Sequence, residues 1–391
     1  MSAPSIVLAG GGTGGHVFPM VAVADALVRL RPELGLVFVG TARGMETRIV
    51  PERGYELRLL RVLPIRGGGI SGAVRGAARA AAAIPESRAL LRELSPRAVF
   101  SIGGYAAGPI ALAARSLGIP LALMEPNAVI GLANRLVAPL CARAYTAFPE
   151  PEPHFRAGTV LRSGVPIREG FAPQPYQCAA GALRVLVLGG SQGAKALNET
   201  VPEALVRARS GVCVVHQCGQ VHLAAVRERY AALGAEDRAR VVPFIDDVPA
   251  ALAAADLVIG RAGASAVSEI CAIGRPSVLV PYPHAAGDHQ LYNARSLAKD
   301  GAALCLSAEE ATAARLAAEI DRLSADPGLR RAMAEAARRR GNPHAAHTIA
   351  EDLLALAGLT AGATPSHGAA GRGPAGNGVG RLEFGVHEVR A

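Results

Sequence analysis

A chain of 391 residues, half of them apolar and only 19% charged, can bury ample core, and its length suits two domains better than one. The formal net charge of +9 fits either an ordinary basic enzyme or a surface that meets anionic lipid or a phosphorylated substrate. The arginines are spread along the chain with no aromatic-rich basic strand among them, which speaks against a nucleic-acid partner.

Six cysteines, at 141, 178, 213, 218, 271 and 305, include no CxxC pair, so a zinc site is not expected. Several lie in apolar runs, as small core residues do. No apolar run approaches the ~18 to 20 residues that span a bilayer. No signal peptide precedes the first strand, so a cytoplasmic protein with reduced thiols is expected.

In chain order, SIVLAG is a short apolar strand that runs into glycines, and VFPMVAVADALVRL has helical spacing. LGLVFVG is a second strand. RAVFSIGGYAAGPIALAARSLGIPLALME reads as strand, loop, helix and a strand entered through Pro120, and ANRLVAPLCARAYTAF as a helix and another strand. This alternation predicts a parallel sheet covered on both faces. The pattern restarts at LRVLVLGGSQGAKALNETVPEAL, again strand, glycine loop, helix. Strands follow in GVCVVHQCG, RVVPFI, DLVIG and PSVLVPY. The join falls near RSGVPIREGFAPQPYQ, rich in proline and without periodicity. A last helix is expected in HAAHTIAEDLLALAG, and the Gly/Pro-rich tail after it is expected to be disordered.

Five of the six positions from Gly10 to Gly15 are glycine, and His16 follows. Gly10, Gly12 and Gly15 satisfy G-x-G-x-x-G, a weak dinucleotide signal alone. A dinucleotide site also wants an acid at the end of the second strand. That strand ends in Gly40 and Thr41, which disfavours NAD. Glycines let ligand oxygens approach the backbone, and the helix behind them directs its positive end at the loop. An imidazolium opposes that dipole, so His16 is expected to stay neutral and suit a general base; the alternative is a histidine that only caps the turn.

The second loop, Gly189 to Asn198, offers Ser191 to a phosphate oxygen. Lys195 has no GK[ST] context and serves equally well as a solvated helix residue. In the third loop, GRAGASAVSEICAIGRP, a helix starts near Gly263 and ends at Gly274. Glu269 within it either holds a ribose diol or faces solvent. No D-x-D or similar acid cluster invites a metal-held diphosphate, so helix ends and arginine, with Arg168 a candidate, would carry that charge.

Eight motifs occur in order: GGTGGHVFP, SIGGYAAGP, EPNAVIGLANR, SGVPIR, LGGSQGAKALN, FIDD, RAGASAVSEI and HQLYNA. With them the chain, from about Ser5 to about Gly358, resembles the MurG family of peptidoglycan glycosyltransferases, which add N-acetylglucosamine (GlcNAc) to lipid I. The resemblance implies an α/β GT-B fold, two Rossmann-like domains with parallel sheets facing across a cleft. Residues 1–164 would form the acceptor and membrane side and 165–342 the UDP-GlcNAc side. Residues 343–359 would return as a helix to the first domain, leaving 360–391 as the tail.

The resemblance further implies that His16 deprotonates the acceptor hydroxyl. Thr13, Gly14, Gly15 and Asn127 would bind the donor sugar. Arg168 and Ser191 would meet the UDP phosphates, and the backbone of Ile245 would meet uracil. Ala264, Ser265, Ala266, Val267 and Ser268 would border the diphosphate and ribose. Glu269 would hold the ribose hydroxyls, and Gln290, with His289 beside it, the sugar hydroxyls. Gly12, Thr13, Gly14, Gly103, Gly104 and Tyr105 would face the acceptor diphosphate. Two positions depart from the family pattern: Pro126 stands where glutamine is usual, and Val165 replaces an asparagine. The implied reaction is an inverting transfer in peptidoglycan biosynthesis without metal or cofactor. The alternatives are another GT-B nucleotide-sugar transferase and a non-catalytic nucleotide-sugar binding protein on the same fold.

Lipid I lies in the cytoplasmic leaflet, so the resemblance implies a peripheral enzyme on the cytoplasmic face of the membrane. The segment from Leu60 to Leu94 carries Arg61, Arg66, Arg75 and Arg79 among apolar residues, which suits an anionic lipid surface; an ordinary surface helix is the alternative.

Overall fold

The computed structural model describes residues 3–62, 69–104, 106–178, 181–190, 193–209 and 211–359, with the backbone alone at 69–81. The expectations for Arg66, Tyr105, Ser191 and the tail at 360–391 lie outside these residues, as do the side chains of Arg75 and Arg79.

The first βα series is β1 (Ser5–Gly10), α1 (Gly14–Leu30), β2 (Gly35–Thr41), α2 (Glu46–Glu52), β3 (Glu56–Leu60), α3 (Gly69–Leu94), β4 (Ala98–Gly103), α4 (Ala107–Ser116), β5 (Leu121–Glu125), α5 (Leu132–Val137), β6 (Arg143–Thr146) and β7 (Val160–Arg162). Its seven strands lie in the order β3-β2-β1-β4-β5-β6-β7, every pair parallel. Parallel strands need crossovers, and the helices supply them while burying both sheet faces. Val7, Val37, Val99 and Leu123 pack on one face with Leu91 of α3 and Ile110 of α4.

The second series is β8 (Leu183–Leu188), α6 (Lys195–Arg207), β9 (Val212–Gln217), α7 (Leu223–Ala232), β10 (Ala239–Val242), α8 (Val248–Ala254), β11 (Leu257–Gly260), α9 (Ala264–Ile273), β12 (Ser277–Leu279), α10 (His289–Lys299), β13 (Ala303–Cys305), α11 (Ala313–Ala325) and α12 (Pro327–Arg340). Its order is β10-β9-β8-β11-β12-β13, again all parallel. Val185, Val187, Ile259 and Val278 form its core with Leu197 and Leu205 of α6 and Leu316 and Ile320 of α11. These two parallel sheets bear out the α/β architecture expected from the alternation of apolar runs.

The last helix, α13 (Ala345–Leu356), belongs to the first unit, which runs to Glu169 and resumes at Asn342. Its buried face, Ala345, Ala346, Ile349, Ala350, Leu353 and Leu354, follows helical spacing, and it packs on α1. Asp352 fixes it to the sheet, accepting from the Tyr145 hydroxyl and pairing with Arg143, both at 2.8 Å. By contacts the second unit begins at Gly170, so Val165, Ile167 and Arg168 pack with the first.

Candidate active site

In each sheet the strand order reverses beside its first strand, between β1 and β4 and between β8 and β11. Ligands of doubly wound sheets bind outside the carboxyl ends of the strands at that switch point. All four strand ends there lead into glycine-containing segments: Gly10–Gly12 after β1, Gly103–Gly104 after β4, Gly189 and Gly190 after β8 and Arg261–Gly263 after β11.

In the first unit the two loops touch. A Cβ on Gly104 would lie 2.7 Å from the Gly11 carbonyl oxygen, and Gly104 holds φ +92°, a conformation open mainly to glycine. Gly11 and Gly12 also have positive φ, +141° and +94°. Thr13 is the N-cap of α1 and makes no side-chain cap bond, so the helix presents its first N–H groups at the exposed Thr13–Gly15 turn. His16, half-buried in the first turn, has Nδ1 3.1 Å from the Gly11 carbonyl oxygen. A carbonyl only accepts, so Nδ1 carries a proton in this contact, and in a neutral ring the lone pair is then on Nε2.

Beneath this loop lies Glu46, a residue the sequence did not single out. It is completely buried, and its oxygens accept from the Gly12 N–H at 2.8 Å, the Thr41 N–H at 2.9 Å and the Thr41 hydroxyl at 3.1 Å. Glu125 does similar work at the end of β5. It accepts from the N–H of Asn127 at 3.1 Å, the N–H of Gly131 at 2.9 Å and the side-chain amide of Asn134 at 3.0 Å. Burial raises its pKa, and the donors from Gly131, Asn134 and Asn127 oppose that rise. Asn127 is thereby held at the sheet edge despite Pro126, which is itself buried.

Arg168 follows Ile167 at the end of the first unit. It is exposed and lines a cavity of about 600 Å³ with Phe18, Asp25, Arg29, Arg53 and His344; the lining includes none of the loop residues. The exposed Arg61 follows β3, and Arg75 and Arg79 lie on α3.

In the second unit, the loop after β8 packs on the end of β9. A Cβ on Gly193 would fall 2.0 Å from the Cys218 carbonyl oxygen. Lys195 faces Glu199 at 3.9 Å on the exposed side of α6, which favours the solvated-helix alternative. After β11, α9 starts at Ala264 without a side-chain cap and ends at Gly274 in the left-handed conformation. Ser265 Oγ in its first turn is buried without a hydrogen-bond partner, and Glu269 sits half-buried one turn further along. The Gln290 carbonyl oxygen accepts from the N–H groups of Ala262 at 3.3 Å and Tyr282 at 3.0 Å, so this side chain ties the loops after β11 and β12 together. His289 beside it is bound to the Ala286 carbonyl at 2.9 Å. Ile245 is buried next to an exposed Phe244. Arg261, missed in the sequence, donates to the Val280 and Pro281 carbonyls at 3.0 and 3.1 Å and so sets a cation beside α9.

Cys141 and Cys271 are buried thiols. Burial pushes Cys141 to about 11 and Cys271 to about 12. Among the described residues there is no cluster of three His, Cys, Asp or Glu side chains.

Two such doubly wound sheets, each with glycines at its switch point, are the pair of Rossmann-like domains of the GT-B fold. The crystal structure of Acinetobacter baumannii MurG matches with a TM-score of 0.79 at 33% identity, covering 90% of this chain and 99% of that one. The glycosyltransferase family 28 N-terminal domain matches residues 6–146, and the family 28 C-terminal domain residues 184–349. The chain belongs to glycosyltransferase family 28. Over 358 residues it is 57% identical to the UDP-N-acetylglucosamine--N-acetylmuramyl-(pentapeptide) pyrophosphoryl-undecaprenol N-acetylglucosamine transferase of Sorangium cellulosum, covering 90% of this chain and 88% of its relative. The transferase of the same name from Anaeromyxobacter dehalogenans is 43% identical over 90% of this chain and 92% of its own.

Proposed function

We infer that this chain transfers GlcNAc from UDP-GlcNAc to the muramyl 4-hydroxyl of lipid I, with inversion, giving lipid II. The observation that carries this reading is the 57% identity, across nine-tenths of the chain, to a transferase named for that reaction. The geometry of His16 supports the chemistry. With the proton on Nδ1, Nε2 accepts the hydroxyl proton as the oxygen attacks the anomeric carbon from the face opposite UDP. An α-linked donor then yields a β-1,4 product. General-base catalysis of this kind contributes about 100- to 10,000-fold.

The donor assignments divide between the units. In the second, Ser191 and the α9 start from Ala264 to Ser268 would meet the diphosphate, where a helix N-terminus favours negative charge. The unpartnered Ser265 Oγ supports this assignment. Glu269 would hold the ribose and Ile245 the uracil. The Gln290 carbonyl is engaged with backbone, so its amide N–H₂ would be the end that meets sugar hydroxyls. From the first unit, Thr13, Gly14, Gly15, Asn127 and Arg168 would complete the donor site. Gly12, Gly103, Gly104 and Tyr105, with the Thr13–Gly14 turn, would take the acceptor diphosphate. Arg61, Arg66, Arg75 and Arg79 would meet anionic lipid. The acceptor and membrane side is assigned mainly to residues 1–164, to which 343–359 return as a helix, and the UDP-GlcNAc side mainly to 165–342.

Donor choice is testable by thermal unfolding, because a ligand at about 100 times its Kd adds roughly 2.7 kcal/mol to stability. UDP-GlcNAc is expected to raise the melting temperature well above the effect of UDP-glucose or a dTDP-sugar. Equal shifts from all three would contradict the assigned donor.

A further inference from the structure

The mechanism above leaves Glu46 without a role, yet the first glycine loop is built around it. Cβ atoms on Gly11, Gly40 and Gly44 would approach its side chain to 2.3, 2.5 and 1.9 Å, so three glycines clear the space it fills. All three hydrogen-bond partners given above are donors, an arrangement that an acceptor-only carboxylate satisfies.

The N–H that Glu46 accepts and the carbonyl that receives the His16 proton belong to the same peptide group, the one joining Gly11 to Gly12. A trans peptide is planar, so its N–H and C=O point in opposite directions, and fixing one end fixes the other. Both flanking residues are glycines at positive φ, where side-chain sterics impose no choice of orientation. A flipped peptide would aim its N–H at Nδ1. Nδ1 would then become an acceptor, and the proton would move to Nε2, the nitrogen required as base.

We propose that Glu46 is a positioning residue: it holds the Gly11–Gly12 peptide with its carbonyl toward His16 and thereby keeps Nε2 as the proton acceptor. The inference rests on His16 being the base of the transferase reaction.

The test uses the full chain and reads the His16 ring nitrogens by ¹⁵N NMR, alongside kcat and KM for UDP-GlcNAc. The wild type is expected to show the Nδ1–H tautomer at neutral pH. In Glu46→Gln the side-chain NH₂ faces a backbone donor, so the tautomer is expected to become mixed. kcat should then fall about 10- to 100-fold, the range seen when a residue that orients a metal-binding histidine is lost, with little change in KM. Glu46→Asp, which keeps the charge, is expected to recover part of kcat.

A folded Glu46→Gln enzyme with the wild-type tautomer and kcat would overturn the proposal. So would an Nε2–H tautomer in the wild type, a measurement that stands even if the variants do not fold. The base assignment is tested separately by His16→Ala: full turnover in that variant would remove the reading on which Glu46 depends while leaving the tautomer measurement intact.

Discussion

His16 and His216 show how the same side chain is set to different ends by its neighbours. His216 is fully buried between β9 and the helices beside it, with Nδ1 3.0 Å from the Tyr230 hydroxyl and Nε2 3.1 Å from the Asn198 carbonyl oxygen. Asn198 in turn donates to the Cys218 carbonyl at 3.0 Å, beside the tight approach of Gly193. Burial pushes the His216 pKa down to about 3. An unfolded histidine titrates near 6.5, so below that pH the unfolded chain gains a proton that the folded chain refuses until about pH 3. The folded state should therefore lose up to about 1.4 kcal/mol per pH unit as pH falls through this window. Urea unfolding of wild type and His216→Gln at pH 7 and pH 5 checks this: the wild type is expected to lose more stability across the interval, and equal losses would contradict it. His16 was legible in the sequence because a run of glycines announces it. Glu46 was not, because its meaning depends on packing against Gly12, 34 residues earlier, and that distance carries no periodic signal.

At the scale of elements, the loops are shaped by backbone approach more than by side chains. Gly104→Ala would place a Cβ 2.7 Å from the Gly11 carbonyl oxygen at a φ of +92°. Such strain costs roughly 1–3 kcal/mol. Since the clash displaces the loop assigned to the acceptor diphosphate, turnover of a lipid I analogue is expected to fall further than UDP-GlcNAc affinity; equal losses would contradict the division of roles between the loops. The central strands were readable as apolar runs of six or seven residues. The strands that escaped notice are β3, β7 and β13. The last two are three residues long, too short for any period, and β3 alternates charged and apolar residues at the sheet edge. The helix at RAGASAVSEI was bounded correctly by Gly263 and Gly274 because both positions have a stereochemical reason, the cap and the left-handed turn.

For the whole molecule, the doubly wound character followed from the strand–helix alternation, and the two sheets repeat it with the same strand order. The unit boundary was harder to place: the linker lacks periodicity, and which side it packs on depends on contacts such as Asn342 donating to the Ser163 carbonyl at 2.8 Å, far apart in sequence. Among the described residues no helix is long and apolar enough to cross a membrane. Arginines beside an anionic surface contribute about 1 kcal/mol each. Reversing Arg75 and Arg79 to glutamate should weaken binding to anionic vesicles in a sedimentation assay, and unchanged binding would move the docking surface elsewhere.

The proposed reaction turns on proton transfer from a muramyl hydroxyl to His16 as GlcNAc leaves UDP. It is tested most directly by UDP release from UDP-GlcNAc with and without a lipid I analogue, in wild type and His16→Ala. The expected result is release that requires the analogue and drops about 100- to 10,000-fold in the variant, while donor affinity holds. Release independent of the analogue, or a variant that turns over like the wild type, would contradict the account.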